Sequence, residues 1–148
     1  MTGEDLLCID CRYNLPFTDF HLKQDNLVAQ QFWGKINLEA AYAMCYFTKG
    51  GKMQHLMHQS KYRGIQNIGS LLGNIAGGQL NKNPVFNSAD LILPVPLHKS
   101  RLRKRGYNQS ANFANGLSEK LNISVDEDNL AHIRATENTN PPCTFFAF

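Results

Sequence analysis

No stretch of this sequence stays apolar over the roughly 18 residues that a membrane span requires, so no membrane partner is expected. Its start, MTGEDLLCID, is acidic where a secretory signal is basic and then apolar. Cysteine is scarce, with Cys8, Cys11, Cys45 and Cys143 scattered apart from the first two, which excludes the disulfide framework of a small secreted domain. The expected setting is the cytoplasm, with reduced thiols. Net charge is slight, +3 over 148 residues, so no overall field draws the chain to nucleic acid or anionic lipid. With 43% hydrophobic and 18% charged residues there is material for one core, and a second full domain is not expected.

What the chain does have is a local concentration of charge. In LPVPLHKSRLRKRGYNQS, Leu93 to Ser110, the cations Lys99, Arg101, Arg103, Lys104 and Arg105 stand together without an acid between them. The neighbouring pattern says where that segment lies. Leu91 to Val95 is a continuous apolar run of strand length, of the kind covered on both faces, and Pro94 and Pro96 mark its exit. Beyond the basic segment, Phe113, Ala114, Leu117 and Leu121 fall on one helix face, and Ile123 to Val125 suits a second strand. Strand, basic loop, helix and strand make a βαβ unit and hence a parallel sheet.

Upstream, the spacing of Met53, Leu56 and Met57 predicts a helix that stops near Gly64. Ile65, Ile68, Leu71, Leu72, Ile75 and Ala76 predict a second one ending around Gly77 and Gly78, followed by a loop from Asn81 to Ser88. The segment Phe32 to Phe47 suits strand by its aromatics and helix by its alanines. From Asp5 to about Val28 the expectation is a CxxC turn and a polar loop without helix.

Ligands of parallel sheets sit beyond the carboxyl ends of the strands, and the basic segment leaves just such an end. Anion binding is its natural use. Gly106 lacks a Cβ where a phosphate would approach the backbone, and arginine forks bind phosphate oxygens bidentately. A solvated basic loop, or one paired to acids elsewhere, fits the same residues.

At this point D90-L-I-L-P-V-P-L-H-K-S-R-L-R-K-R-G-Y-N-Q-S resembles the signature of the ComF family of bacterial competence proteins, through the words P-x-P-L-H and R-G-Y-N-Q. Leu7-Cys8-Ile9-Asp10-Cys11 followed by Leu15-Pro16, Lys61-Tyr62-Arg63-Gly64 and the I-G-x-x-L-G of Ile68 to Gly73 agree, in the family's order, over residues from about 6 to 134. The resemblance implies an α/β fold, a type I phosphoribosyltransferase-like parallel sheet under a small N-terminal hood. It also implies a site for phosphoribosyl pyrophosphate with Mg²⁺ and a role in natural transformation, the uptake of DNA. Transferred residue by residue, and by analogy with amidophosphoribosyltransferases, Val95, Pro96, Leu97, His98 and Lys99 resemble the pyrophosphate-side loop, with Arg101, Arg103, Arg105, Gly106 and Tyr107 flanking it. In such chemistry, fixed positive groups and Mg²⁺ stabilise the departing diphosphate. His98 then contacts phosphate, orients the loop or simply packs it.

The sequence departs from that family in two places. Relatives carry an apolar strand ending in V-D-D-x-x-T-T-G, the turn that holds ribose 5-phosphate. Here the nearest counterpart is Val125-Asp126-Glu127-Asp128-Asn129, which has no Thr or Gly to form an amide nest and reads as a solvated turn. The tail TENTNPPCTFFAF is unlike the family, so a truncated or frame-shifted and inactive product is expected. Relatives also place a second CxxC upstream; Cys8 and Cys11 are half of a zinc knuckle, and zinc or two free thiols both fit. The expected organisation is a hood segment over 1–30, an incomplete phosphoribosyltransferase-like domain over 31–134 and an irregular tail over 135–148.

Three functional readings follow. The first is a ComF-like phosphoribosyltransferase, a glycosyltransferase of the competence system beside a helicase-like ATPase. The second is a module for single-stranded DNA, with Arg and Lys on phosphates and Tyr107 offering a stacking face. The third is a fragment without function, whose shorn sheet exposes an apolar face.

Overall fold

Two helices with unusually small facing residues form the centre of the molecule. In the computed structural model, which describes residues 12–62 and 67–134, they are α3 (Asn67–Leu80) and α6 (Gln109–Leu121). Preceding α3 are α1 (Leu27–Gln30) and α2 (Lys52–Tyr62). Following it come α4 (Pro84–Asn87), the strand β1 (Leu91–Ile92) and α5 (Lys99–Arg105), while β2 (Ser124–Val125) follows α6.

On α3 the buried residues Ile68, Leu72, Gly73, Ala76, Gly77 and Leu80 run down one face at helical spacing. Ala111, Phe113, Ala114, Gly116 and Leu117 do the same on α6. Glycine inside a helix costs about 1 kcal/mol relative to alanine, so two glycines meeting here need a reason. A Cβ on Gly73 would lie 2.1 Å from the Phe113 carbonyl oxygen, and one on Gly116 would lie 2.1 Å from that of Ser70. The backbones meet where no side chain fits. Gly77 also packs on this line, against Lys120, so α3 continues past the expected stop at Gly77 and Gly78 to Leu80.

β1 and β2 pair in parallel, Leu91 with Ser124 and Ile92 with Val125, and the Asp126 N–H donates to the Ile92 carbonyl at 3.0 Å. The chain is therefore α/β, with a small parallel sheet in the expected strand–helix–strand order. The sheet is slighter than expected. Ile92 packs on the core and Pro94 is buried, but Leu91, Leu93 and Val95 are 43, 44 and 63% exposed. Alternation of period two sends those three to a face that nothing among the described residues covers, so the expectation of a strand buried on both sides is corrected.

Residues 12–48 build a second wall of the core. Asn26, only 4% exposed, is its hub. Its Oδ1 accepts from the N–H groups of Val28 (3.0 Å) and Ala29 (3.1 Å), capping α1, while its Nδ2 donates to the carbonyls of Lys23 (2.8 Å) and Ala41 (2.7 Å). Together with the 3-10 turn Phe20–Leu22, this gives helical structure where the sequence suggested a plain loop. The segment around Tyr42 is neither helix nor regular strand. Ala41, Tyr42, Ala43 and Met44 are all buried, and the backbone is satisfied instead by the Asn26 side chain, by Thr18, whose Oγ1 donates to Ala43, and by one antiparallel bridge between Phe17 and Cys45. The Tyr42 hydroxyl donates to Gln79 Oε1 on α3, and its ring meets Phe86 edge-on at 6.3 Å. Burial pushes the Cys45 thiol up to about 12.

The loop expected over 81–88 contains α4, which Asn83 caps by accepting from the Val85 N–H at 3.1 Å, with Pro84 at the first helical position. Met53 and Leu56 of α2 are buried and Met57 half-buried, as their spacing requires. Cys8 and Cys11, the helix stop at Gly64, the second half of the Lys61–Gly64 word and the tail over 135–148 lie outside the described residues. None of the helices among the described residues is long and apolar enough to cross a membrane.

Candidate anion site on a basic helix

The basic segment is a helix. Lysine, arginine and leucine are good helix formers, and that preference prevails over repulsion between like charges one turn apart, which costs about 0.2–0.5 kcal/mol per pair. His98 begins it as N-cap, its Nδ1 accepting from the Ser100 N–H at 3.3 Å with the Ser100 hydroxyl 2.8 Å away. Both contacts are satisfied together when Nδ1 is the acceptor and the ring proton sits on Nε2. Gly106 ends the helix in the left-handed conformation, φ 82°, and donates its N–H to the Leu102 carbonyl at 2.7 Å. Its missing Cβ thus serves a helix stop, and its amide is already engaged.

Becoming a helix redistributes the charge. At 100° per residue, Lys99 and Arg103 share one side of α5, Arg101 and Arg105 share another, and Lys104 lies between. Lys99, Arg103 and Lys104 are exposed, whereas Arg101 and Arg105 are half-buried. Arg105 is held in place, its Nη1 donating to Gln109 Oε1 on α6 at 2.9 Å. The three cations of the last turn, Arg103, Lys104 and Arg105, also meet the negative end of the helix dipole.

The approach from β1 is extended. Val95 is exposed, Pro96, Leu97, His98 and Tyr107 are half-buried, and Lys99 opens α5. Asn108 ties this approach to α6: its Nδ2 donates to the Val95 carbonyl at 3.0 Å, while its Oδ1 caps α6 by accepting from the Ser110 N–H at 3.1 Å. The structure therefore brings Val95, His98, Arg101 and Arg105 onto one framework at the carboxyl end of a parallel strand, and splays Lys99, Arg103 and Lys104 away from it.

Three residues that the charge pattern did not single out complete the site. Asn108 and Gln109 are the anchors just described. His132, after β2, stands edge-on to His98 with ring centroids 6.1 Å apart, and its Nδ1 is buried without a hydrogen-bond partner. The N-Q pair beside the glycine was a visible signal for the first two; nothing local marks His132, which arrives through sheet pairing.

The acids after β2 form a turn of their own. Asp126 Oδ1 accepts from the N–H groups of Asp128 (2.9 Å) and Asn129 (3.2 Å), which hold its carboxyl below the usual range, and Oδ2 accepts from the Asn129 side chain. Among the described residues no three His, Cys, Asp or Glu side chains gather closely enough to hold a metal ion. The residues at α5 are cations and amides, a set that suits an anion and not a bare metal. No protein-family model, curated protein or solved structure matches this chain.

Proposed function

We propose that α5 and its approach bind a diphosphate group, as in phosphoribosyl pyrophosphate, within a ComF-like, phosphoribosyltransferase-related fold. The observation that carries this reading is the Arg101–Arg105 pair: two guanidinium groups one turn apart on the half-buried side of α5, one of them fixed by Gln109, just beyond the carboxyl end of β1. Like charges so placed repel each other, and an anion bridging them relieves that repulsion while accepting bidentate hydrogen bonds. With its proton on Nε2, His98 keeps a donor for the same ligand. The residues here do not form a metal site, so Mg²⁺ would arrive on the ligand's phosphate oxygens. The role inferred for α5 is binding. Transfer chemistry would also need a ribose-phosphate turn, and the sequence carries no V-D-D-x-x-T-T-G segment.

The test is titration with inorganic diphosphate and with phosphoribosyl pyrophosphate. Arg105→Ala is expected to weaken both by about tenfold, the value of one charge-assisted hydrogen bond lost. Unchanged affinity would refute the assignment.

The splayed trio Lys99, Arg103 and Lys104 favours a second reading, contact with a single-stranded nucleic acid backbone that follows the helix around. Its signature is different. Affinity would fall with salt at a logarithmic slope of about −0.7 for each phosphate neutralised, and Mg²⁺ would not be required. An oligonucleotide bound no better by the wild type than by a Lys99, Arg103 and Lys104→Ala variant would exclude it.

A further inference from the structure

The face of β1 that points away from the core is apolar and open. Leu91, Leu93 and Val95 alternate onto it, each at least 43% exposed, and no described residue covers them. The strand also has a free edge. Among the described residues its one partner is β2, and the Ile92 carbonyl points to that side, so the main chain of Leu91 and Leu93 points to the other. An apolar face beside an open edge is a surface that proteins cover, with a segment of their own or with a partner.

The path of the chain shows what lies within reach. After β2 it runs past Leu130, 46% exposed, to His132, whose ring stands 6.1 Å from that of His98, just beyond the carboxyl end of β1. Two residues later, at Arg134, the described residues end, so residues 135–148 set out from beside the open face. Their sequence is ATENTNPPCTFFAF, with Glu137 as its one charged side chain and with Phe145, Phe146 and Phe148 close together. Ten residues, Ala135 to Thr144, precede the first phenylalanine. Extended, they reach about 33 Å, whereas Leu91 to Val95 spans about 13 Å.

We propose that Phe145, Phe146 and Phe148 cover this face, packing on Leu91, Leu93 and Val95 of the same molecule. The tether favours this segment over a second copy of the chain: a short link holds the rings at an effective concentration in the millimolar range, far above that of other copies in dilute solution. Charge points the same way. α5 begins four residues beyond Val95 and exposes Lys99, Arg103 and Lys104, so two copies joined face to face bring like charges together, while residues 135–148 contain no lysine or arginine. Covering the patch lowers the tendency of the chain to associate. The inference is independent of the reading of α5.

The experiment is methyl NMR of the full chain in dilute solution. Nuclear Overhauser contacts from the rings of Phe145, Phe146 or Phe148 to the methyl groups of Leu91, Leu93 or Val95 are expected, at an intensity unchanged by dilution. A Phe145→Ser, Phe146→Ser, Phe148→Ser variant, folded by circular dichroism, should lose these contacts, shift the three sets of methyl signals and associate more readily in sedimentation. A Leu93→Asn, Val95→Asn variant should release the rings from the other side, whereas an Arg101→Gln, Arg105→Gln variant should keep the contacts. Contacts that arise between differently labelled copies in a mixture would overturn the proposal in favour of a second copy. A folded wild type without the contacts, or methyl signals of the face unmoved by the phenylalanine substitutions, would overturn it outright, whatever happens at α5.

Discussion

Only Gly106 to Asn108 separate α5 from α6, yet opposite physics holds α5 and the α3–α6 pair. α3 and α6 meet through glycine, where backbone touches backbone and a single methyl group has nowhere to go. The side chains of α5 are mostly exposed, and its charges repel one another. The first arrangement specifies one geometry and gives stability. The second keeps charge at the surface, where it contributes little to stability and is available to a ligand. Stability and function are thus expected to come apart when each region is perturbed.

The largest effect should come from Gly73→Ala. Its new Cβ would meet the Phe113 carbonyl at 2.1 Å, backbone that cannot rotate aside, so the helices must separate. A loss of about 3 kcal/mol is expected in denaturant unfolding; a loss under 0.5 kcal/mol (roughly the scale of a surface substitution) would mean that the helices do not touch as described. Asn26→Ala should follow at about 2 kcal/mol, because it removes a helix cap and leaves the buried Ala41 carbonyl without its donor. By contrast, Arg105→Ala on α5 should change stability by no more than about 0.5 kcal/mol while weakening diphosphate binding. Equal losses in stability and binding would break the contrast between the two regions.

Acid supplies a finer test. His21 titrates below the ordinary value of 6.5, so the unfolded chain binds the more protons between the two values. Its contribution to stability is present above about pH 6.5 and is lost as pH falls through the lowered value. Denaturant midpoints measured from pH 8 to pH 5 should decline, and His21→Gln should flatten the decline. An unchanged slope in that variant would assign the effect to other groups. The smallest effect concerns Cys45, whose thiolate is suppressed by burial. Site-resolved alkylation at pH 8 should be on the order of a hundredfold slower in the folded than in the unfolded chain; equal rates would mean that the wall around Tyr42 opens readily.

The same contrast explains what could be read from sequence. Ile68, Leu72 and Ala76, or Phe113, Ala114 and Leu117, repeat at helical spacing because one face is buried, and burial leaves a periodic mark. The strand at Leu91–Ile92 was legible as a continuous apolar run and Ser124–Val125 by its place after the helix, although burial on both faces, which that run suggested, is absent at Leu91, Leu93 and Val95. The helicity of Lys99 to Arg105 was obscured by its charge, although the run of helix formers closed by Gly106 carried the signal. Asn26 and Asn83 each stand just ahead of a short helix, but nothing local shows that their side chains also reach Ala41 and His21. His132 reaches His98 only through the pairing of β1 with β2, a long-range event that no window of sequence contains.

Arg101 and Arg105 are proposed to form a diphosphate site. This assignment is tested most directly by titration calorimetry of the folded chain with phosphoribosyl pyrophosphate, with and without Mg²⁺, for the wild type and the Arg101→Ala, Arg105→Ala variant. Saturable, Mg²⁺-dependent heat in the wild type and its loss in the folded variant are the predicted result. Binding that survives the double substitution, or no binding by a wild type whose circular dichroism shows it folded, would contradict the claim.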